Sequence, residues 1–180
     1  RNTDSVGKIL DSVVVEIINN EICVSGPSVM KGYWNNVKAT NNVIIPYKDR
    51  YFYKTGDEGE IKDGFLFYKG RISENYKLSN GKFVNIGEIE NTIKEHISQT
   101  FIVYGNNKDY NIIICEEDCK ITDELLSKIN NSLDSYLRIK KILYLENGTF
   151  QKYMTPKMSI KRKEIEKDYK IKIEKMYQSQ

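Results

Sequence analysis

Histidine is nearly missing from this 180-residue chain, with His96 standing alone. One imidazole, with no serine and aspartate grouped around it, excludes a Ser-His-Asp hydrolase. His96 reads instead as a solvated or half-buried residue of a helix that begins near Ile86. Cysteine is scarce too. Cys23, Cys115 and Cys119 are an odd number without a disulfide-framework spacing, which favours a reducing, intracellular compartment. No histidine or further cysteine lies near Cys115 and Cys119, so no metal is assigned to them, and they read as a strand-end thiol and a loop thiol. No apolar run is long enough to span a bilayer. A Gly-rich phosphate loop is missing. The net charge of +3 makes no case for nucleic acid. Arg1 is not an initiator Met and no signal-peptide pattern follows it, so the chain reads as a piece of a longer protein.

What is present suffices for one domain or two small ones: 39% of residues are hydrophobic and 29% charged. Residues 8–18 are β-rich, and Asn19-Asn20 turns the chain towards Ile22-Cys23-Val24, predicting a hairpin. Gly26-Pro27 ends that strand, and Met30-Lys31-Gly32-Tyr33-Trp34 follows, its two aromatics reading as core or interface residues. Tyr51-Phe52-Tyr53-Lys54-Thr55-Gly56-Asp57 predicts a strand whose end projects Asp57 from a Thr-Gly turn. Asp63-Gly64 is a strong hairpin signal, and it returns the chain through Phe65–Tyr68 to Gly70-Arg71. The hairpin brings Asp57 and Arg71 to one cleft.

Beyond Arg71 the pattern is hairpin, helix, strand, strand, helix, strand, helix. Gly81 permits a sharp turn between Lys77 and Lys82. Glu88 and Glu90 read as first-turn carboxylates opposing the helix dipole, ahead of Ile89, Ile93 and Ile97. Thr100–Tyr104 and Asn111–Cys115 read as strands. Thr122 caps a helix carrying Leu125, Leu126, Ile129, Leu133 and Leu137. Lys141–Glu146 reads as a strand. Residues 160–177 read as one basic helix with Ile165, Tyr169, Ile173 and Met176 on its apolar face. Such a helix either caps a domain core or lies on an anionic membrane surface.

Several of these stretches, in this order, resemble the hinge region and flanks of the adenylate-forming (acyl-activating) superfamily. They are Glu21 to Trp34, Tyr51 to Asp57, Gly70-Arg71, Lys77 with Gly81, Gly87-Glu88-Ile89-Glu90, and Thr155-Pro156 to Lys161-Arg162. The wording Glu74-Asn75-Tyr76-Lys77-Leu78-Ser79-Asn80-Gly81-Lys82 is most similar to the long-chain fatty acid–CoA ligases. The resemblance implies an α+β fold: residues 1–71 form the β-rich end of a large N-terminal domain, joined by a hinge to a small sheet-plus-helices C-terminal domain, residues 72–180. It implies an enzyme that uses ATP and Mg2+ to turn a fatty acid into an acyl-adenylate, then passes the acyl group to coenzyme A. The magnesium site, phosphate loop and acyl tunnel are expected upstream, on the large domain that would be this chain's partner. The piece alone is then expected to be inactive, and its place cytoplasmic or on the cytoplasmic side of a membrane.

The same resemblance assigns residues. Asp57 takes the nucleotide ribose, Arg71 the ribose or phosphate side, and Tyr68 lines that pocket. Ser73 stands at the hinge, where Asp or Lys is usual. Lys77 serves the thiol-transfer step, and Gly81 and Lys82 match a loop near the thiol channel. The adenylating lysine falls at Ser159, which carries no charge. Lys157 is the substitute candidate, because residues two apart in an extended loop share a face. The neutral Ser73 and Ser159 also motivate an alternative, a catalytically degenerate member or a membrane- or partner-binding module.

Overall fold

The computed structural model describes residues 5–178; Arg1 and the outermost ends of the two expected domains lie outside them. The chain divides into two compact units, Arg1–Glu74 and Asn75–Gln180.

The first unit is an antiparallel sheet. Its elements are β1 (Gly7–Lys8), β2 (Val14–Ile18), β3 (Glu21–Ser25), α1 (Val37–Val43), β4 (Ile44–Tyr47), β5 (Arg50–Lys62) and β6 (Phe65–Arg71). The order is β1-β6-β5-β3-β2, with β4 also paired to β5. Both predicted hairpins form. Asn19 and Asn20 lie at φ 50° and 67°, and Asp63 and Gly64 at 52° and 77°. Two left-handed residues in a row give the turn whose twist matches antiparallel strands. Residues 9–13 are not strand: Val13 N–H donates to Leu10 O in a turn. Tyr33 and Trp34 do not join a core. Both are exposed, Trp34 by 90%. Their segment is held by its backbone instead: Tyr33 N–H donates to Thr40 Oγ1 (2.9 Å), and Asn36 Oδ1 accepts from Ala39 N–H (2.9 Å) to cap α1.

The second unit is the expected α+β arrangement of a small sheet covered by helices. Its elements are β7 (Tyr76–Lys77), β8 (Phe83–Val84), α2 (Ile86–Lys94), β9 (Phe101–Tyr104), β10 (Asn111–Glu116), α3 (Asp123–Asn131), β11 (Ile139–Leu145), α4 (Arg162–Asp168) and α5 (Lys170–Gln178). β10 lies between β9, antiparallel, and β11, parallel. A strand apolar on both faces needs cover on both. Ile113 and Cys115 pack with Ile89, Ile93 and Ile129 of α2 and α3. Ile112 and Ile114 pack with Ile165 and Ile173 of α4 and α5.

Three helix boundaries differ from the sequence reading. α2 stops at Lys94, so His96 lies in the turn after it and Ile97 beyond. α3 stops at Asn131; Leu133 and Leu137 follow it, still inside the same core. The basic segment is two helices, broken at Tyr169 (φ −99°, ψ 13°). Its apolar face is occupied within the domain, since Ile165 and Ile173 are buried and Tyr169 and Met176 pack beside them. No helix among the described residues is long and apolar enough to cross a membrane.

Candidate functional site

Asp57 and Arg71 meet. They are cross-strand partners on β5 and β6, and Arg71 Nη1 lies 2.8 Å from Asp57 Oδ1. Counted straight from the turn, where Lys62 faces Phe65, Asp57 would face Gly70 and Arg71 would point to the other side of the sheet. A bulge restores the match. The register shifts between Glu58 and Gly59, leaving Lys69 as the extra residue and Arg71 opposite Asp57.

Thr55-Gly56-Asp57 is not a turn at a strand end, as the sequence reading expected. It is a kink inside the 13-residue β5. Gly56, at φ 76°, makes the kink, and a Cβ there would come within 3.3 Å of Arg71 Nη1. Thr55 holds both sides of it. Its hydroxyl donates to Ile22 O (2.8 Å) and accepts from Asp57 N–H (3.1 Å), while its carbonyl accepts from Arg71 Nη1 (2.7 Å).

Two residues of this site lie inside the family-like stretches but have no role assigned by the resemblance. Glu21 Oε1 accepts from Gly56 N–H (2.8 Å), and its Oε2 lies 3.2 Å from Lys54 Nζ. This carboxylate braces the kink from β3, a role visible only once Glu21 is set opposite Glu58 by the β3–β5 pairing. Tyr53 is the other. Burial, and then a hydrogen bond with Tyr33, push its phenol pKa up; Arg71 draws it down and Asp57 raises it. A half-open carboxylate, a guanidinium and phenol groups on one stretch of sheet can together receive sugar hydroxyls and an anionic group.

The remaining candidates spread along the chain. Tyr68 faces Gly59 across the strands, on the other side of the bulge from Arg71, and is exposed. Ser73 is exposed in the 3-10 turn Ile72–Glu74, where the first unit ends. In the second unit, Lys77 is exposed on β7. Leu78 N–H donates to Lys82 O (2.9 Å), and Gly81, at φ 81°, closes the loop between them. Lys82 Nζ sits 4.9 Å over the Tyr136 ring.

Lys157 is exposed, but the loop that carries it is not extended. Thr155 N–H donates to Ser159 O (2.8 Å), Met158 N–H to Thr155 O (2.9 Å), and the two hydroxyls of Thr155 and Ser159 meet at 2.7 Å. Met158 holds the left-handed position at φ 60° that a three-residue hairpin loop ordinarily gives to glycine. Lys157 therefore sits at the tip of a tight turn and Ser159 on its returning arm, so the strand-like alternation argument does not apply to them.

Glu90 is not a first-turn carboxylate facing solvent. It is buried, and its Oε1 lies 2.6 Å from Arg162 Nη2, which ties α2 to the first residue of α4. Cys115 and Cys119 are buried free thiols that hydrogen-bond one another; burial, foremost, holds both pKa values up. Among the described residues no group of three or more His, Cys, Asp or Glu is placed to hold a metal ion.

The AMP-binding enzyme C-terminal domain model matches residues 74–180. The D-alanine–D-alanyl carrier protein ligase of Listeria monocytogenes serotype 4b is 40% identical over 91 residues, 48% of this chain and 18% of its own length. That of Bacillus mycoides is 29% identical over 157 residues, 81% of this chain and 30% of its own. The chain thus spans under a third of the length of these relatives. Among solved structures, the A-PCP didomain of carboxylic acid reductase from Segniliparus rugosus, in complex with AMP, superposes with a TM-score of 0.65 at 19% identity, covering 87% of this chain and 24% of that one. O-succinylbenzoate coenzyme A synthetase from Bacillus subtilis, in complex with ATP and magnesium ion, gives 0.62 at 23% identity over 79% of this chain and 32% of that one. At these identities the structural likeness is one of fold. The chain belongs to the AMP-binding enzyme C-terminal domain family, the C-terminal domain of the adenylate-forming superfamily.

Proposed function

We propose that this chain is part of an ATP-dependent ligase that joins a carboxylic acid to a thiol through an acyl-adenylate. The acid's carboxylate attacks the α-phosphate of ATP and pyrophosphate leaves. The thiol sulfur then attacks the acyl carbon, AMP leaves, and a thioester remains. The observation that carries this reading is the Asp57–Arg71 pair, set by a bulge just ahead of the family domain. Asp57 accepts the ribose hydroxyls, Arg71 lies on the ribose or phosphate side, and Tyr68 lines the pocket. ATP carries magnesium with it, and no residue of this chain is assigned to the ion.

Relatives at 40% identity that join D-alanine to a carrier protein support an amino acid and a carrier-borne thiol as the substrates. A second reading, a fatty acid and coenzyme A, rests on the wording from Glu74 to Lys82. The two are separated by pyrophosphate exchange of the full-length protein with D-alanine and with palmitate. Exchange with palmitate alone selects the second, and exchange with neither points to the catalytically degenerate alternative that Ser159 motivates. Asp57→Ala in the same protein is expected to weaken ATP binding by about ten- to a hundredfold, the loss of hydrogen bonds to a charged group. Unchanged ATP affinity would remove the ribose assignment. Lys157→Ala tests the substitute lysine in the same assay: an unchanged exchange rate ends its candidacy.

A further inference from the structure

The arm that carries Lys77 is too short to hold itself. β7 and β8 pair over two residues each, and a hairpin of that size has no independent stability in water. What holds it is the turn from Gly105 to Asn111. Asn107 N–H donates to the carbonyl of Lys77 itself (2.9 Å), and Ser79 N–H donates to Lys108 O (3.0 Å). Ser79 Oγ donates to Asp109 Oδ1 (2.5 Å). Asn111, fully buried, accepts from Tyr76 Oη (2.7 Å) and donates to Tyr136 O (3.0 Å). The approach is close enough that a Cβ at Gly105 would stand 2.5 Å from Asn111 Oδ1 and 2.9 Å from Tyr76 Oη.

The other side of this turn is clamped to α5. Lys108, 19% exposed, gives both oxygens of Glu174 a hydrogen bond, at 2.8 and 2.7 Å. Its ammonium also lies 5.2 Å over the Tyr177 ring. Tyr110 Oη and Lys141 Nζ both donate to Met176 O, at 2.8 and 2.7 Å. They satisfy a carbonyl of the last helical turn that has no partner within the helix. Contact is therefore continuous from the helix, through Lys108, to the backbone of Lys77.

We propose that the Gly105–Asn111 turn is a positioning element for Lys77, taking its placement from α5 through Lys108–Glu174 and passing it to the arm through the main-chain bonds at Lys77 and Ser79. Resting on the ligase reading above, this makes Lys108 and Glu174 positioning residues for thiol transfer, with no part in adenylate formation.

The test uses the full-length protein with Lys108→Met, which keeps the apolar stem and loses the charge, and the exchange pair Lys108→Glu/Glu174→Lys. Lys170→Met, on the exposed side of α5, is the control for loss of one positive charge. Amide hydrogen exchange reads the placement without any activity. Lys108→Met is expected to speed exchange at Asn107 and Ser79 about tenfold and leave the β10 amides unchanged, with the exchange pair restoring wild-type rates. No change at Asn107 and Ser79 overturns the proposal, whatever the enzyme does. With activity, Lys108→Met is expected to slow transfer of a preformed acyl group to the thiol about tenfold, a misplaced-group effect, and to keep pyrophosphate exchange within about twofold of wild type. An equal fall in both steps overturns it in favour of a purely structural pair. A wild-type protein that makes no acyl-adenylate would refute the ligase reading, and the amide exchange result would still decide whether the turn places the arm.

Discussion

Asp57–Arg71 and Glu90–Arg162 are the same two functional groups in different surroundings. The first pair sits on the sheet of the first unit, its side chains 28% and 49% exposed; the second lies within the second unit, at 9% and 18%. Among the described residues, Ile22, Cys23 and Phe52 are the buried hydrophobics of the first unit, whereas the second unit buries both faces of β10. Surroundings decide what such a pair is for. In water its Coulomb gain is nearly offset by hydration, so an open pair adds little stability and stays available to a ligand. A buried pair has given up its water, and neither member tolerates loss of the other.

Removing one buried partner should therefore have the largest effect. Glu90→Ala removes the buried carboxylate 2.6 Å from Arg162 Nη2 and is expected to cost about 3–5 kcal/mol in urea unfolding, most of it recovered in Glu90→Ala/Arg162→Met. If the single change costs no more than an exposed pair, the contrast fails. Tyr76→Phe comes next. It leaves Asn111 Oδ1 without its donor in a buried site, at about 1–3 kcal/mol. Asp57→Asn should change stability by about 1 kcal/mol or less while it weakens ATP binding, which sharpens the comparison from the other side.

The smallest effect is a pH dependence at an open site. Tyr153 Oη donates to Asp168 Oδ2 (2.8 Å), and that bond, then burial and the Asp168 charge, push the phenol pKa up to about 12. The unfolded phenol titrates near 10. A folded pKa above the unfolded one means the contribution is whole below about pH 10 and is lost as pH rises through about 12. The stability difference between wild type and Tyr153→Phe should shrink across that window; a constant difference would contradict it.

How far these features could be read in advance depended on their range along the chain. Asn19-Asn20 and Asp63-Gly64 announce their turns because left-handed backbone selects those residues, and the run Ile112–Cys115 announces a strand. The bulge at Lys69 leaves no such mark. Register counted from Asp63-Gly64 would have put Arg71 on the wrong side, although the expectation that it meets Asp57 is right. Glu90 and Arg162 are distant in sequence, and nothing local links them. The loop at Lys157 reads as extended because Met158 hides a left-handed position that glycine would advertise. The break at Tyr169 was hidden by an apolar spacing that continues across it.

The placement of β10 has a consequence for how the protein is made. One face is closed by α2, synthesised before the strand, and α3, soon after it; the other waits for α4 and α5, which bring Ile165 and Ile173 well after it. A nascent chain halted before Lys170 would therefore carry Ile112 and Ile114 only partly covered, a sticky surface in a crowded cell. Such a domain completes its fold only when α5 is available, and chaperone contact should concentrate before that point.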